Sequence, residues 1–175
     1  MRTVTLYIAC SLDSYIAGTD GSVDWLFSDA DYGYTAFLHS VDTIVMGRVT
    51  YDQLLTFGDY PYHGKEVFVV SRSKIGEKDQ NVTFVGEDIL EKIRDLRTGT
   101  GNGIWLVGGA HLIQLFVREH LIDDLIVSVH PIILGSGIPL FLQQPKPTWL
   151  ELRGCTSYPS GLVQLSYTVK GPLGP

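Results

Sequence analysis

Six short apolar, β-branched runs punctuate the chain up to residue 133: VTLYIA (4–9), DTIVMG (42–47), EVFVVS (66–71), VTFV (82–85), GIWLVG (103–108) and LIVSVHPII (125–133). Amphipathic segments fall between several of them. Residues 28–40 bring Tyr34, Phe37 and Leu38 to one side, and 49–56 form a short helical stretch. Residues 88–97 repeat Ile89, Ile93 and Leu96 at helical spacing, and 110–120 do so with Leu112, Leu115 and Phe116. Near-continuous apolar strands alternating with helices require a sheet with parallel pairs and helices on its faces. Two later runs, 149–155 and 162–170, alternate polar and apolar residues with no helix between them. The expected architecture is therefore three-layer α/β/α, a central mixed sheet with mostly parallel strands and an antiparallel C-terminal hairpin. One domain is expected over residues 1–170, with GPLGP at 171–175 as a loose tail.

Composition sets the outer limits. A chain of 175 residues fits one domain, and 45% apolar residues suffice for its core. A net charge of −6 offers a nucleic acid no general attraction, so any anion must be held locally by amides and one or two arginines. Cys10 and Cys155 form no CxxC pair, and Cys10 lies in an apolar run as a buried thiol. His39, His63, His120 and His130 have no partner at ligand spacing, so no metal is expected. The opening apolar run is too short for a signal peptide, and no window approaches a membrane span. A reduced, cytoplasmic protein without nucleic-acid or membrane partners is expected.

Three strand ends carry residues with chemical potential. They are Gly47-Arg48-Val49-Thr50, Ser71-Arg72-Ser73 and Gly108-Gly109-Ala110-His111. In open α/β sheets, ligands bind outside the carboxyl ends of the strands. A helix starting there offers free amides, and a glycine lets a phosphate approach the backbone. Arginine adds a bidentate charge and serine or threonine a hydroxyl. The first and third corners suit a diphosphate. The second, one arginine between two hydroxyls, suits a ribose 2′-phosphate, and together they describe NADPH better than NADH. Taken singly, each glycine also reads as an ordinary turn and Arg72 as a solvated charge. Gly99 to Gly103 has the wrong spacing for a dinucleotide fingerprint and precedes a strand.

These residues resemble the dihydrofolate-reductase-like superfamily, and within it the reductase domain of riboflavin biosynthesis and its stand-alone relatives. The resemblance covers nearly the whole chain. IACSLDSYIAG resembles the opening S-x-D-G-x-I-A signature, with Ser14 in place of the glycine. IVMGRVTYDQL resembles the M-G-R-x-T-[WY] segment. The stretch from Ile104 to Phe141 resembles the ordered series G-G, helix, L-[IV]-D-[DE], strand, P-x-x-L-G-x-G-x-x-x-F. The resemblance implies NADPH bound across one edge of the sheet. Gly47, Arg48 and Thr50 would lie by the diphosphate and adenosine side, and Ser71, Arg72 and Ser73 at the 2′-phosphate. Gly108, Gly109, Ala110, His111 and Leu112 would close over the diphosphate, with Ala9 and Gly18 near the nicotinamide. A homodimer is also implied, since relatives pair through exposed sheet edges.

Departures narrow the activity. The H-x-E and P-C-x-x-C motifs of the zinc deaminase that precedes the reductase in bifunctional riboflavin proteins are absent. YDQLLTF stands where other riboflavin reductases have D-D-P-x-L and basic residues for a phosphoribosyl substrate. Two acids are catalytic candidates. Asp13 either orients the substrate and the following loop or caps a turn. Asp29 either sits partly buried beside Trp25 as a proton source or caps a helix over 30–39. Trp25 and Tyr51 either wall a flat substrate or pack in the core. The expected function is an NADPH-dependent, riboflavin-type reductase acting on a small heterocyclic or ring-opened substrate. Pterin reduction of the dihydrofolate reductase kind is the alternative, and a non-catalytic nucleotide-binding module is the alternative of another class.

Overall fold

The computed structural model describes residues 1–77, 79–86 and 88–171. The chain runs β1 (Val4–Ser11), β2 (Tyr15–Ala17), α1 (Tyr34–Ser40), β3 (Val41–Gly47), α2 (Arg48–Leu54), β4 (Glu66–Val70) and β5 (Thr83–Val85). It continues through α3 (Ile89–Thr98), β6 (Gly103–Gly108), α4 (Ala110–Arg118), β7 (Asp124–His130), β8 (Ile138–Pro139), β9 (Trp149–Ser157) and β10 (Val163–Gly171). Eight strands form one sheet in the order β5-β4-β3-β6-β1-β7-β10-β9, and β2 pairs with β8 apart from it. Neighbours are parallel from β5 to β7, and β10 runs antiparallel to both β7 and β9. The expected mixed sheet with an antiparallel hairpin is what forms.

Strand alternation sends side chains to two separate cores. On β6, Ile104 and Leu106 join Ile89 and Ile93 of α3 and Ile113 and Phe116 of α4. Trp105, between them, joins Ile44, Met46 and Tyr51 on the other face, with Phe37 and Leu38 of α1 packed against that cluster. The central strands are apolar at nearly every position because both of their faces are covered. Each fully buried leucine, isoleucine or phenylalanine contributes about 1.5–3 kcal/mol. Trp105 keeps its indole N–H satisfied by donating to the Tyr7 carbonyl at 3.0 Å.

Several boundaries differ from the sequence expectation. The helix expected from residue 28 begins only at Tyr34, because Tyr32 (φ 50°) and Gly33 (φ 81°) are left-handed. Asp31 caps it, accepting from the Thr35 amide at 3.0 Å and the Thr35 hydroxyl at 2.5 Å. The capping role expected of Asp29 therefore belongs to Asp31. The run 125–133 stops as a strand at His130: Pro131 has no N–H, and the Ile132 amide turns back to the His130 carbonyl at 2.8 Å. Residue Gly171 closes β10, and the rest of the expected tail, 172–175, lies outside the described residues.

The central strand β1 is paired unequally on its two sides. It pairs with β7 over seven residues, Thr5 to Ser11, but with β6 over only three, Val4 to Leu6. Beyond Leu6 the two central strands part. Tyr7, Ile8 and Ala9 are half-buried in consequence, although they belong to the middle strand of the sheet.

Candidate active site at the parted strands

The opening between β1 and β6 lies at the carboxyl ends of the parallel strands, where a crevice is expected in this architecture. Three strand ends stand beside it in one row. Gly47 of β3 pairs with Val70 of β4, one residue before Ser71, and Met46 pairs with Gly108 of β6. The three corners singled out from the sequence therefore share one edge of the sheet.

The two glycine corners face each other across a narrow gap. A Cβ on Gly47 would stand 3.6 Å from the Gly108 carbonyl oxygen and 3.8 Å from the Gly109 nitrogen, and one on Gly109 would stand 3.7 Å from Thr50 Oγ1. Backbone atoms and the Thr50 hydroxyl are the nearest groups across it. Gly108 has its own structural reason: its φ is 122°, and a Cβ would press on Ile113 Cδ1 at 3.3 Å and Ile8 Cδ1 at 3.4 Å. α4 starts at this gap with Gly109 as its N-cap, and its first helical amides, of Ala110 and His111, have no partners within the helix. The Leu112 amide donates to the Gly109 carbonyl at 3.0 Å, and its side chain lies in the core, so Leu112 shapes the corner from beneath. His111 is exposed above it.

The flanking residues divide by role. Arg72 and Ser73 are exposed, whereas Ser71 is buried and its Oγ accepts from the Ser73 and Lys74 amides at 3.3 Å each. Ser71 thus holds the turn that presents Arg72. Arg48 forms an ion pair with Asp52 one helical turn on. Gly18 opens a tight turn closed by its amide to the Ser22 carbonyl at 2.9 Å, and Gln53 of α2 donates to the Gly21 carbonyl at 2.7 Å. That bond docks the Gly18 turn on the helix that starts at Gly47.

At the other end of the opening, Ser11 of β1 pairs with His130 of β7. His130 is buried and its Nε2 accepts from the Phe27 amide at 3.1 Å, which leaves Nδ1 as the protonated nitrogen, 3.3 Å from the Ser128 carbonyl. Burial lowers its pKa, so the ring is neutral. Trp25 meets it edge-on at 5.2 Å and Phe27 at 4.8 Å. The Trp25 indole N–H is sealed from solvent without an acceptor among the described residues.

Asp13 binds across this end. Its two oxygens accept from the Leu134 amide at 3.0 Å and the Gly135 amide at 2.7 Å, tying the β1–β2 loop to the segment after β7. The Ser11 hydroxyl, then these amides, hold its carboxyl below the usual range. Asp13 is an ionised clamp between two loops, an orienting role for the loop that follows β1. Asp29 stands exposed, 2.7 Å from the Tyr32 hydroxyl, so the partial burial beside Trp25 expected of it is not realised. Its charge still reaches His130. Tyr51 is corrected outright: it is 4% exposed, packs edge-on to Phe84 at 5.9 Å and gives its hydroxyl to Asp79. It lies in the core beneath α2, because the helix turns that face to β5 and away from β1. Phe27 and Leu12, which also stand at this end, carry no signal in the sequence; His130, which has no partner at ligand spacing, is a buried and satisfied histidine, and none of the three sits in a glycine corner. What places them at this end is the pairing of Ser11 with His130, a tertiary register.

A three-layer sheet parted beside facing glycine corners is the dihydrofolate-reductase-like fold. Within it, the chain belongs to the RibD C-terminal domain family, whose model matches residues 2–164. It is 40% identical over 170 residues to the uncharacterized protein YwjB of Bacillus subtilis, covering 95% of this chain and 97% of that one. A solved protein from Shewanella sp. PV-4, assigned to riboflavin biosynthesis, superimposes with a TM-score of 0.85 at 34% identity over 97% of this chain and 99% of that one. Dihydrofolate reductase from Enterococcus faecalis, complexed with NADP(H), has a TM-score of 0.72 at 14% identity over 96% of each chain and shares the fold alone.

Proposed function

We propose that this protein is an NADPH-dependent oxidoreductase of the riboflavin type, similar to the 5-amino-6-(5-phosphoribosylamino)uracil reductases. It passes a hydride to a C=N or C=O of a small heterocyclic or ring-opened substrate. The observation that carries the reading is the parting of β1 from β6 beside a gap where Gly47 faces the Gly108–Gly109 backbone and Thr50 faces Gly109. A diphosphate fits such a gap because no Cβ obstructs the amides. The Ala110 and His111 amides and Thr50 would hold it, with Gly47, Gly108 and Gly109 giving close approach. Arg72, with Ser73 beside it and Ser71 beneath, would pair with the 2′-phosphate. Arg48 flanks the adenosine side. Ala9 and Gly18 would border the nicotinamide, which supplies the hydride when bound. Asp29 would meet a substrate at the β7 end, and Asp13 would position the two loops around it.

The test is nucleotide titration followed by NADPH fluorescence. The parent protein should bind NADPH well above NADH. Arg72→Ala should weaken NADPH by about 1.5–3 kcal/mol, the value of a charge-assisted contact, and leave NADH unchanged. Equal losses for both nucleotides would remove the 2′-phosphate assignment, and no binding of either would favour a chain without redox function.

We also propose that the chain forms a homodimer in the cytoplasm. No helix among the described residues is long and apolar enough to cross a membrane. The support for pairing is an apolar groove of ≈ 330 Å³ between the end of α4 and the C-terminal strands, lined by Val117, Ile122, Leu125, Phe141, Leu150 and Val169. Phe141 and Leu150 are 43% and 39% exposed, and Leu152 on the same face of β9 is 56% exposed. An apolar face of this kind is suited to its own copy across a two-fold axis.

A further inference from the structure

The substrate end of the opening differs in charge from the cofactor end. It is built by the end of β1, the segment from Ser11 to Gly33, the end of β7 and the segment after it as far as Phe141. No lysine or arginine occurs between Arg2 and Arg48, or between Arg118 and Lys146. Among the described residues, the cations on the corners beside the cleft are Arg48 at the end of β3 and Arg72 and Lys74 after β4. Those strands are two and three spacings from β1, about 10 and 14 Å, and further still from β7. Arg48 is moreover already paired with Asp52.

What does occupy this end is apolar or acidic. Leu12 is 63% exposed and Ile133 is 70% exposed, held side by side by the Leu12 amide donating to the Ile132 carbonyl at 2.8 Å. Phe27 lies against His130, which pairs with Ser11. Three large apolar side chains thus stand open within three residues of one strand pair or packed directly on it. Asp29 accepts from the Tyr32 hydroxyl at 2.7 Å, the Tyr32 carbonyl accepts from Tyr7 of the parted stretch of β1 at 3.3 Å, and Asp31 stands one residue before Tyr32. His130, the one histidine here, is neutral through burial and adds no positive charge.

Resting on the reductase reading above, we propose that the substrate is a flat heterocycle without phosphate, carrying zero or positive charge. Apolar walls favour a planar ring face. Carboxylates that form no ion pair among the described residues repel a phosphate dianion and attract a protonated ring nitrogen. The riboflavin-type framework is thereby turned to a different substrate class from the phosphoribosyl one.

The experiment uses the full chain saturated with NADPH and follows tryptophan fluorescence. The probes are 5-amino-6-ribosylaminouracil, its 5′-phosphate, and 2,4-diaminopteridine as a ring that takes up a proton. NADPH binding is measured first, and its failure would overturn the cofactor reading. With NADPH bound, the unphosphorylated uracil or the diaminopteridine should bind at least tenfold tighter than the 5′-phosphate. Ile133→Arg, which places a cation on the rim, should raise affinity for the 5′-phosphate about tenfold at low salt, with the gain lost in high salt. Equal or tighter binding of the 5′-phosphate by the parent protein overturns the proposal, as does failure of both unphosphorylated rings to bind at millimolar concentration.

Discussion

Gly47→Ala separates a glycine needed for folding from one needed for a ligand. Gly47 has φ −75° and ψ 155°, extended backbone that alanine adopts freely. The added methyl would meet the Gly108 carbonyl oxygen at 3.6 Å and the Gly109 nitrogen at 3.8 Å, both ordinary contacts. Nothing in the fold opposes it. Alanine restricts the unfolded chain, so the substitution should stabilise by about 0.4–1 kcal/mol, raising Tm by about 1–4 °C for a chain of this size. The same methyl fills the gap through which a diphosphate would reach the amides. Loss of one charge-assisted contact costs about 1.5–3 kcal/mol, which is about a 10- to 150-fold weakening of NADPH. Thermal unfolding and an NADPH titration on the same preparation read both numbers. A variant with raised Tm and parental NADPH affinity would show that Gly47 is only a turn. Gly108→Ala cannot make this distinction, because its φ of 122° and the crowding by Ile113 and Ile8 destabilise the fold as well.

Other parts of the molecule give three more expected outcomes. Ser14 is exposed with φ 66°, a conformation costing a non-glycine residue about 1–2 kcal/mol, so Ser14→Gly should raise stability by about 0.5–1 kcal/mol in a denaturant titration; a fall would mean the loop is not left-handed there. The Asp13 carboxyl is held below its usual range, so its contribution is present above the unfolded pKa of about 3.9 and is lost as pH falls through the lower folded value. Asp13→Asn should therefore lower the urea midpoint at pH 7 and converge with the parent in strong acid, and a gap unchanged across that range would refute the clamp. The assembled protein should elute from light-scattering chromatography at twice the 19.4 kDa of one chain, and Leu150→Lys should return it to the monomer mass; a monomeric parent removes the dimer.

The strands were legible because their cause is local. Trp105 and Leu106 had to face opposite cores once β6 was central, and a run apolar at both parities announces that position. The three corners were legible because strand, glycine and polar residue follow one another in sequence. What was not legible depends on register and tertiary position. The parting of β1 after Leu6 follows from how many residues pair on each side, which no composition reveals. Tyr51 carries the same aromatic signal as Trp25, yet the orientation of α2 buries one while Trp25 packs at the strand ends beside His130. Asp29 and Asp31 are both suited to capping by type, and only the left-handed pair Tyr32 and Gly33 decides that Asp31 serves. Ser14 is the converse case: the signature glycine it replaces is explained by the backbone conformation that Ser14 now adopts at a cost.

The two borders of the large sheet are both poor templates. β5 offers three residues, and on β9 the register slips at Arg153, which leaves the outer row of amides and carbonyls out of step. A foreign strand finds no long straight run to zip onto. The side chains, rather than the rims, are the surface this sheet offers to a partner.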